Sequence, residues 1–252
     1  MVRMIDYEAR KSAVLAATIN RYIKDALPVP SQDIAEEFAV SPATIRNIFA
    51  ELEDSGYLTH PYTSGGRIPT NKGYRYYVDF LNSRVPYSQT EIDLMDEEKE
   101  SIRKEYKREV KRIEDALEKT SEIISSITHY TGITSFLEWH DKFFYKGMDF
   151  ILAHPELWDL ETMRILIKML EEKQRLLDII NRDFTEKVKI YIGEELGHPQ
   201  INNCSLVVST YRIKNKPCGR LAVLGPVRME YRHIIPAMEY ISEALTQVLE
   251  DI

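Results

Sequence analysis

Cysteine is scarce in this sequence: only Cys204 and Cys218 occur among 252 residues. So low a count is typical of proteins of the reducing cytoplasm, and we do not expect a disulfide between the two. The sequence also lacks any run of about 18 apolar residues, which excludes a membrane-spanning helix. The first residues contain no apolar core of the signal-peptide kind. These absences predict a cytoplasmic protein that does not enter a membrane.

The residue patterns of catalysis and metal binding are missing as well. The six histidines are scattered, and no two have the spacing of four that places metal ligands on one helix face. His140 and Asp141 form a possible dyad, but no Ser or Cys nucleophile motif accompanies them. The segment "GEELGHPQ" does not match a phosphate-binding loop. We therefore expect no enzyme activity, no metal and no cofactor.

Charge is unevenly distributed along the chain. It contains 33 basic and 40 acidic residues, a net charge of −7, which argues against a general binder of polyanions. Residues 1–84 hold 10 of each sign and are neutral, so the remainder carries the whole excess of acid. This split suggests two modules, of which only the first can approach nucleic acid without strong repulsion.

The first 84 residues follow the order of a winged helix-turn-helix domain. The expected elements are helices over 7–25, 31–38 and 42–53, a strand over 57–59, and a helix that begins after Thr70. Ser31 and Ser41 are the predicted N-caps, and Pro42 suits the first position of the third helix. Gly56 is expected to end that helix.

The third helix carries a surface that fits a DNA groove. Its buried side, at about 100° per residue, consists of Ile45, Ile48, Phe49 and Leu52. The opposite side is low and narrow, and consists of Ala43, Asn47 and Ala50. In a major groove Asn47 can bind adenine, while the alanine methyl groups can meet thymine methyl groups. Ser41, Thr44 and Arg46 flank this side and are expected at phosphates, together with the helix N-terminus.

A hairpin after the third helix predicts a second contact with DNA. Gly65 and Gly66 keep its tip thin, so that Arg67 can enter or straddle a minor groove. Lys72 and Arg75 lie beyond it and can reach phosphates. The complete predicted interface is Ser41, Ala43, Thr44, Arg46, Asn47, Ala50, Tyr62, Ser64, Arg67, Lys72 and Arg75.

Protein interaction is the alternative role for this domain. Arg46 could pair with Glu51 or Asp54 on the domain surface instead of meeting DNA. The acidic residues at 51, 53 and 54 are unfavourable deep in a groove, so only the N-terminal half of the helix is expected to penetrate. The exposed face of the third helix, its N-cap and the hairpin all fit DNA binding, so DNA binding is favoured over protein interaction.

Residues 85–130 are predicted to form a helical linker. Seven of its residues follow a heptad-like spacing over roughly three repeats: Tyr106, Val110, Ile113, Leu117, Thr120, Ile124 and Ile127. Two interpretations stay open. The helix packs on its own domain, or it pairs with the same helix of a second copy.

Residues 131–252 mix strands and helices without strict alternation, which predicts an α+β domain on an antiparallel sheet. The expected elements are a hairpin over 133–147, a helix over 159–182, strands over 187–193, 205–213 and 219–225, and a helix over 231–250. The aromatic segment "FLEWHDKFFYKGMDF" could line a pocket, but packing is favoured. A structural role is favoured for Arg228 as well.

Three stretches of the chain carry a family resemblance: "VSPATIRNIFAELEDSGYLTHPYTSGGRIPTNKGYRYYVD", "MRILIKMLEEKQRLLDII" and "NCSLVVSTYRIKNKPCGRLAVLGPVRMEYRHIIPAMEYI". They resemble the HrcA-type heat-inducible transcription repressors. The resemblance implies a cytoplasmic homodimer that binds an inverted-repeat operator on double-stranded DNA upstream of chaperone genes and leaves it on heat stress. It also implies a GAF-like C-terminal domain and a chaperonin partner.

The chain is shorter than typical members of that family between the linker and the central helix. This shortening implies that an inserted dimerisation subdomain is absent, and the heptad-like helix is the candidate replacement. The predicted function is a dimeric repressor of chaperone genes, with domains over 1–84, 85–130 and 131–252. The alternative is a winged-helix regulator whose C-terminal domain senses a metabolite.

Overall fold

The computed structural model describes residues 2–62, 65–83, 94–107, 112–139, 143–171, 173–184, 186–214 and 216–251. The chain divides into two compact units, Met1–Glu91 and Ile92–Ile252. Both combine helices with an antiparallel sheet, which confirms the α+β class. In the part of the chain that is described, no helix is both long and apolar enough to cross a membrane.

The first unit has the predicted winged helix-turn-helix order. Its elements are α1 (Val2–Asp25), α2 (Ser31–Phe38), α3 (Pro42–Asp54), β1 (Leu58–Thr59), β2 (Ile68–Pro69) and α4 (Asn71–Asn82). The tight turn between α2 and α3 places Ala39 in the left-handed region, at φ 51°. The prediction that Ser31 is the N-cap of α2 is wrong. Pro30 occupies the N-cap position, and Ser31 is the first helical residue.

The second unit is built on a five-stranded sheet. Its elements are α5 (Asp96–Lys107), α6 (Ile113–Thr128), β3 (Thr131–Phe136), β4 (Phe143–Lys146), α7 (Leu160–Glu171), α8 (Gln174–Ile180), β5 (Val188–Ile192), β6 (Cys204–Ile213), β7 (Lys216–Pro226) and α9 (Tyr231–Glu250). All neighbouring strands are antiparallel, in the order β4-β3-β7-β6-β5. The predicted GAF-like fold is confirmed.

Helices cover both faces of this sheet. Alternate residues of a strand point to opposite faces, so Leu206 and Val208 join the core beneath α7 and α8. The other face packs against α6 and α9. Phe143 of the edge strand β4 also belongs to the α7 side of the core. The outer surface of α7 therefore lies on the outside of this layered unit.

The heptad-like residues pack inside their own unit. The described part of this stretch forms two helices, α5 and α6, which contact each other. Tyr106 of α5 and Thr120 of α6 share a hydrogen bond of 2.6 Å between their hydroxyl oxygens. Tyr106, Leu117 and Ile124 are buried, whereas Val110 lies outside the described residues. These buried side chains offer no seam to a second copy.

The central helix is interrupted, although its sequence predicts one element. The helix α7 ends at Glu171 and α8 begins at Gln174, with Lys173 between them at φ 32°. Arg220 of β7, only 1% exposed, holds the end of α8 in place. Its guanidinium donates to the backbone oxygens of Ile180 at 3.0 Å and Asp183 at 2.6 Å. Burial lowers the pKa of Arg220 to about 10.

Candidate nucleic-acid interface

The recognition helix α3 is held by its predicted cap and its predicted core face. The amide of Thr44 donates to the Ser41 hydroxyl at 3.1 Å, and Pro42 occupies the first helical turn. The Ser41 side chain thereby satisfies one of the amides that no helical partner reaches. Four residues are buried, as the periodicity predicts: Ile45, Ile48, Phe49 and Leu52.

The opposite face of α3 is open to solvent. Ala43, Asn47 and Ala50 are all exposed, and Arg46 is exposed beside them. Among the described residues, Arg46 makes no ion pair, so the alternative pairing with Glu51 or Asp54 is not observed. We call Ala43, Asn47 and Ala50 the recognition strip. Its amide group and methyl groups are free to meet another molecule.

The acidic residues at the far end of α3 are engaged within the first unit. The Tyr7 hydroxyl donates to Glu51 Oε1 at 2.6 Å, and Lys11 Nζ lies 3.0 Å from Glu51 Oε2. The hydrogen bond from Tyr7 lowers the pKa of the Glu51 carboxyl and raises the pKa of Tyr7 to about 12. The negative charge of Glu51 is therefore compensated by the positive charge of Lys11 on α1.

Glu53 ties α3 to the hairpin, which forms the wing of the domain. Its Oε2 lies 2.9 Å from an Arg67 guanidinium nitrogen, and its Oε1 contacts His60. The Arg67 side chain is only 22% exposed. Sequence reasoning placed Arg67 as a free arginine for the minor groove, whereas the structure gives its guanidinium a partner on α3. The proposed DNA contact of Arg67 therefore competes with an internal ion pair.

The wing is also attached to the segment between α1 and α2. Val29 and Arg67 exchange two backbone hydrogen bonds of 2.9 Å each. A Cβ atom on Gly66 would lie 2.6 Å from the Val29 carbonyl, so only glycine allows this approach. Gly66 is therefore needed for close backbone packing, a role that the thin-tip prediction did not include.

The remaining predicted contacts occupy different surroundings. Lys72 Nζ donates to the Ser55 carbonyl at 2.9 Å and lies 4.6 Å from the centre of the Tyr57 ring. Arg75 is half-buried and lies 3.5 Å from Asp79. Tyr62 is 74% exposed beside the wing tip, and Ser64 lies outside the described residues. Lys72 and Arg75 thus meet partners of their own unit first.

A cleft brings the recognition helix and the wing together. Its volume is about 390 Å³, and its walls come from α3, the wing and the start of α2: Pro30, Ser31, Arg46, Phe49, Gly65, Gly66 and Arg67. Two arginine side chains and a glycine backbone thus border one opening. This combination suits an oxyanion such as a backbone phosphate.

Several residues of this site were not predicted. Tyr7 and Lys11 are four apart on α1, a spacing that places both on one helix face, so a local signal for their pairing with one carboxylate existed. No comparable signal links Glu53 to Arg67 or Val29 to Arg67, because those contacts join segments distant in the chain.

A winged helix-turn-helix with an open recognition strip, followed by a GAF-like unit, defines a DNA-binding transcription regulator. The chain belongs to the HrcA family. Residues 8–79 match the family description "Winged helix-turn-helix transcription repressor, HrcA DNA-binding", and residues 135–235 match "HrcA protein C terminal domain". The first of these descriptions concerns a transcription repressor and not an enzyme, in agreement with the sequence.

Curated relatives carry the name heat-inducible transcription repressor HrcA. One from Pelotomaculum thermopropionicum is 29% identical, with 96% of this chain and 97% of the relative covered. One from Geobacter sulfurreducens is also 29% identical, with 98% and 99% covered.

A solved structure shares the fold. It is described as a hypothetical protein at 2.2 Å resolution, and it matches with a TM-score of 0.77 at 18% identity, with 96% of this chain and 98% of the other covered.

Proposed function

We propose that this chain is a heat-inducible transcription repressor that reads an operator in double-stranded DNA through the recognition strip. The observation that carries the proposal is the exposure of Ala43, Asn47 and Ala50 opposite a fully buried face of the same helix. A low face around one carboxamide can enter a major groove, and Asn47 supplies the bidentate contact that selects adenine.

Phosphate contacts surround the strip in this proposal. Arg46 and the exposed Ser41 lie at the N-terminal half of α3, where helix amides also face outward. The cleft between α3 and the wing admits one phosphate beside Arg46, and Arg67 reaches that phosphate only when its pair with Glu53 opens. Because Glu51 and Glu53 are engaged by Lys11 and Arg67, the acidic end of α3 opposes DNA less than its composition suggests.

Repression requires more than one binding head. We propose a homodimer on an inverted-repeat operator, because two linked heads multiply a modest single-site affinity. The regulated genes in this proposal encode chaperones, and a chaperonin keeps the protein active. Heat weakens the dimer or its second unit, which releases the operator. Such a repressor acts in the cytoplasm, where bacterial DNA lies.

The metabolite-sensing alternative is not favoured by the cleft between α5 and α9. This cleft has a volume of about 550 Å³, and six of its eight lining residues are charged: Asp96, Lys99, Glu100, Arg103, Glu239 and Glu243. A pocket for a small organic effector is expected to be mostly apolar.

Operator binding tests the proposal. A duplex selected by the wild-type protein from a random pool would be titrated, at stated salt, with wild type, Asn47→Ala and Arg46→Ala. We expect Asn47→Ala to weaken binding by about 1–3 kcal/mol and to relax the preference at one base pair. Arg46→Ala should weaken binding to all sequences and reduce the salt slope by about 1.

Asn82→Ala is the matched control, because Asn82 is an exposed asparagine at the end of α4 and outside the predicted interface. It should leave the affinity unchanged. If Asn47→Ala binds the selected duplex like wild type, while both proteins remain folded, the recognition strip does not read DNA.

A further inference from the structure

Three ionisable side chains meet where α3 contacts the wing, and we call Glu53, His60 and Arg67 the wing cluster. Glu53 Oε2 lies 2.9 Å from a guanidinium nitrogen of Arg67, while Glu53 Oε1 contacts Nδ1 of His60. In the described part of the chain, the charged groups beside His60 are Glu53 on α3 and, across that carboxylate, Arg67 of the wing. One carboxylate thus holds two basic side chains, one on each oxygen.

The guanidinium of Arg67 is incompletely satisfied in this arrangement. Its Nη1 donates to the Gly65 carbonyl at 3.4 Å, which is long for a hydrogen bond. Its Nε is buried and has no acceptor among the described residues. A buried donor without an acceptor costs free energy. An oxyanion that accepts from two guanidinium nitrogens therefore competes well with Glu53 for this side chain.

A DNA phosphate in the cleft between α3 and the wing is such an oxyanion. Arg46 borders this cleft, and α2 begins there behind Pro30, whose side chain provides no hydrogen bond to the first helical amides. Arg46 and those amides attract a phosphate to a cleft that Arg67 also borders. The backbone of Arg67 is held by two hydrogen bonds of 2.9 Å to Val29, so only its side chain has to turn.

The departure of Arg67 leaves Glu53 with His60 alone. His60 is exposed, so its ring exchanges protons freely with the solvent. While Arg67 lies beside the carboxylate, its positive charge opposes a second positive charge on the imidazole. Once Arg67 has turned away, the nearby carboxylate favours the protonated ring, because a close opposite charge stabilises the charged form.

We propose that the wing cluster is a proton-linked switch for operator binding. Arg67 moves from Glu53 to a phosphate in the cleft, and His60 takes one proton from the solvent and replaces Arg67 as the cation beside Glu53. The inference rests on the proposed function and adds a positioning residue, Glu53, which acts through Arg67 and not on DNA. Operator affinity should rise as the pH falls through the range in which histidine titrates, by at most about tenfold per pH unit for each head.

Calorimetry of operator binding measures the proton directly. The duplex selected by wild type would be titrated into the full chain at about pH 6.5 in two buffers of different ionisation enthalpy, because the difference in heat counts the protons taken up. Wild type should take up a fraction of a proton per head. His60→Gln, Glu53→Gln and Arg67→Ala should each bind without uptake, since each removes one step of the exchange. Asp54→Asn removes an exposed acid at the same helix end and is the matched control, which should keep the uptake.

Affinity distinguishes the switch from simple repulsion between Glu53 and DNA. Glu53→Gln should strengthen operator binding about two- to fivefold, the typical range for an ion pair near the surface, because Arg67 no longer has to leave a partner. In the Arg67→Ala background, the same substitution should have no more effect than Asp54→Asn. An equal gain in both backgrounds would mean that Glu53 only repels DNA, and would overturn the proposal.

Two calorimetric results also overturn the proposal. One is binding by wild type without proton uptake. The other is uptake that persists in Glu53→Gln and Arg67→Ala but is lost in His60→Gln, since His60 would then meet a phosphate itself. Circular dichroism would verify that each variant is folded.

Asn47→Ala separates this inference from the proposed function. If Asn47→Ala weakens operator binding while wild type takes up no proton, the repressor proposal stands and the switch fails. If Asn47→Ala binds the operator like wild type, the recognition strip fails, whatever the outcome for His60.

Discussion

The helices α3 and α7 have almost the same length, 13 and 12 residues, and each buries four residues on one face. Their outer faces differ. The strip on α3 is small and polar around Asn47, whereas the stripe on α7 is large and apolar around Leu160 and Ile167. A shared period therefore places both helices on a core, and the chemistry of the opposite face decides which kind of molecule each can meet.

The two helices also differ in how their charges are used. Acidic side chains near the end of α3 are engaged by other elements of the first unit, as the pairs Glu51–Lys11 and Glu53–Arg67 show. On α7, Glu161 and Lys168 are both exposed. The arrangement on α3 reduces repulsion toward a polyanion.

The largest expected losses of stability come from truncating side chains on the buried faces that α3 and α7 both have. Phe49→Ala in α3 should cost about 3–5 kcal/mol of unfolding free energy, and Leu166→Ala in α7 about 2–5 kcal/mol, since each leaves a cavity in a packed core. Urea unfolding followed by circular dichroism measures both. A cost below 1 kcal/mol at either site would mean that the helix does not depend on that face.

The pair Glu53–Arg67 tests whether charge at the end of α3 supports the wing. Glu53→Gln and Arg67→Ala should each destabilise the first unit, with a coupling of about 0.5–1 kcal/mol in a double-mutant cycle. Additive effects would exclude an internal role for the pair. Operator binding would then separate the two roles of Arg67, because a DNA contact is lost in Arg67→Ala but not in Glu53→Gln.

The N-cap of α3 gives a smaller effect. Ser41→Ala should cost about 1 kcal/mol, because the amide of Thr44 loses its partner. Thermal unfolding measures this change, and Ser41→Asn, which keeps a capping oxygen, is the control. If alanine and asparagine are equally stable, the cap contributes nothing.

The N-cap of α7 provides a pH-dependent counterpart. Asp159 accepts hydrogen bonds from the amides of Thr162 and Glu161. The Thr162 hydroxyl, followed by these amide bonds, lowers the pKa of the Asp159 carboxyl below the usual 3.8. A lowered folded-state pKa stabilises the fold above pH 3.8, and this contribution is lost as the pH falls through the folded value. Asp159→Asn should therefore be slightly less stable than wild type at neutral pH.

The difference between Asp159→Asn and wild type should disappear on acidification below pH 3.8. Thermal unfolding across this range measures it, and Ser41→Ala, which removes no titrating group, should keep a constant difference. A gap that widens on acidification would contradict the assigned role of Asp159.

Most of the fold was predictable because its signals are local. The order of elements in the first unit, the buried face of α3, the three later strands and the last helix, Tyr231–Glu250, all follow from spacing and caps. Two features were not predictable. The heptad-like spacing is compatible with a core or a dimer, and only packing shows Tyr106 against Thr120. The break in the central helix at Lys173 was not predictable, because no Pro or Gly occurs there to indicate it.

The candidate site also has a part that could be predicted from the sequence and a part that could not. The recognition strip is readable from one helix, because residues three and four apart share a face whatever surrounds them. The surroundings of Arg67 are not readable, because Glu53 and Val29 reach it from separate segments. An arginine in a glycine-rich loop therefore resembles a free DNA contact until its partners are known.

The sequence by itself determined which residues of α3 face the core, which face solvent, and which repressor family the chain belongs to. These properties depend on helical period and on motifs within single segments. Only the tertiary structure decided that Tyr106, Leu117 and Ile124 are buried, that Glu51 and Glu53 are engaged, and that α7 keeps Leu160 and Ile167 exposed. Those properties depend on which distant segments of the chain come into contact. The free energy of that packing arises between segments, so the residues of a single segment do not reveal it.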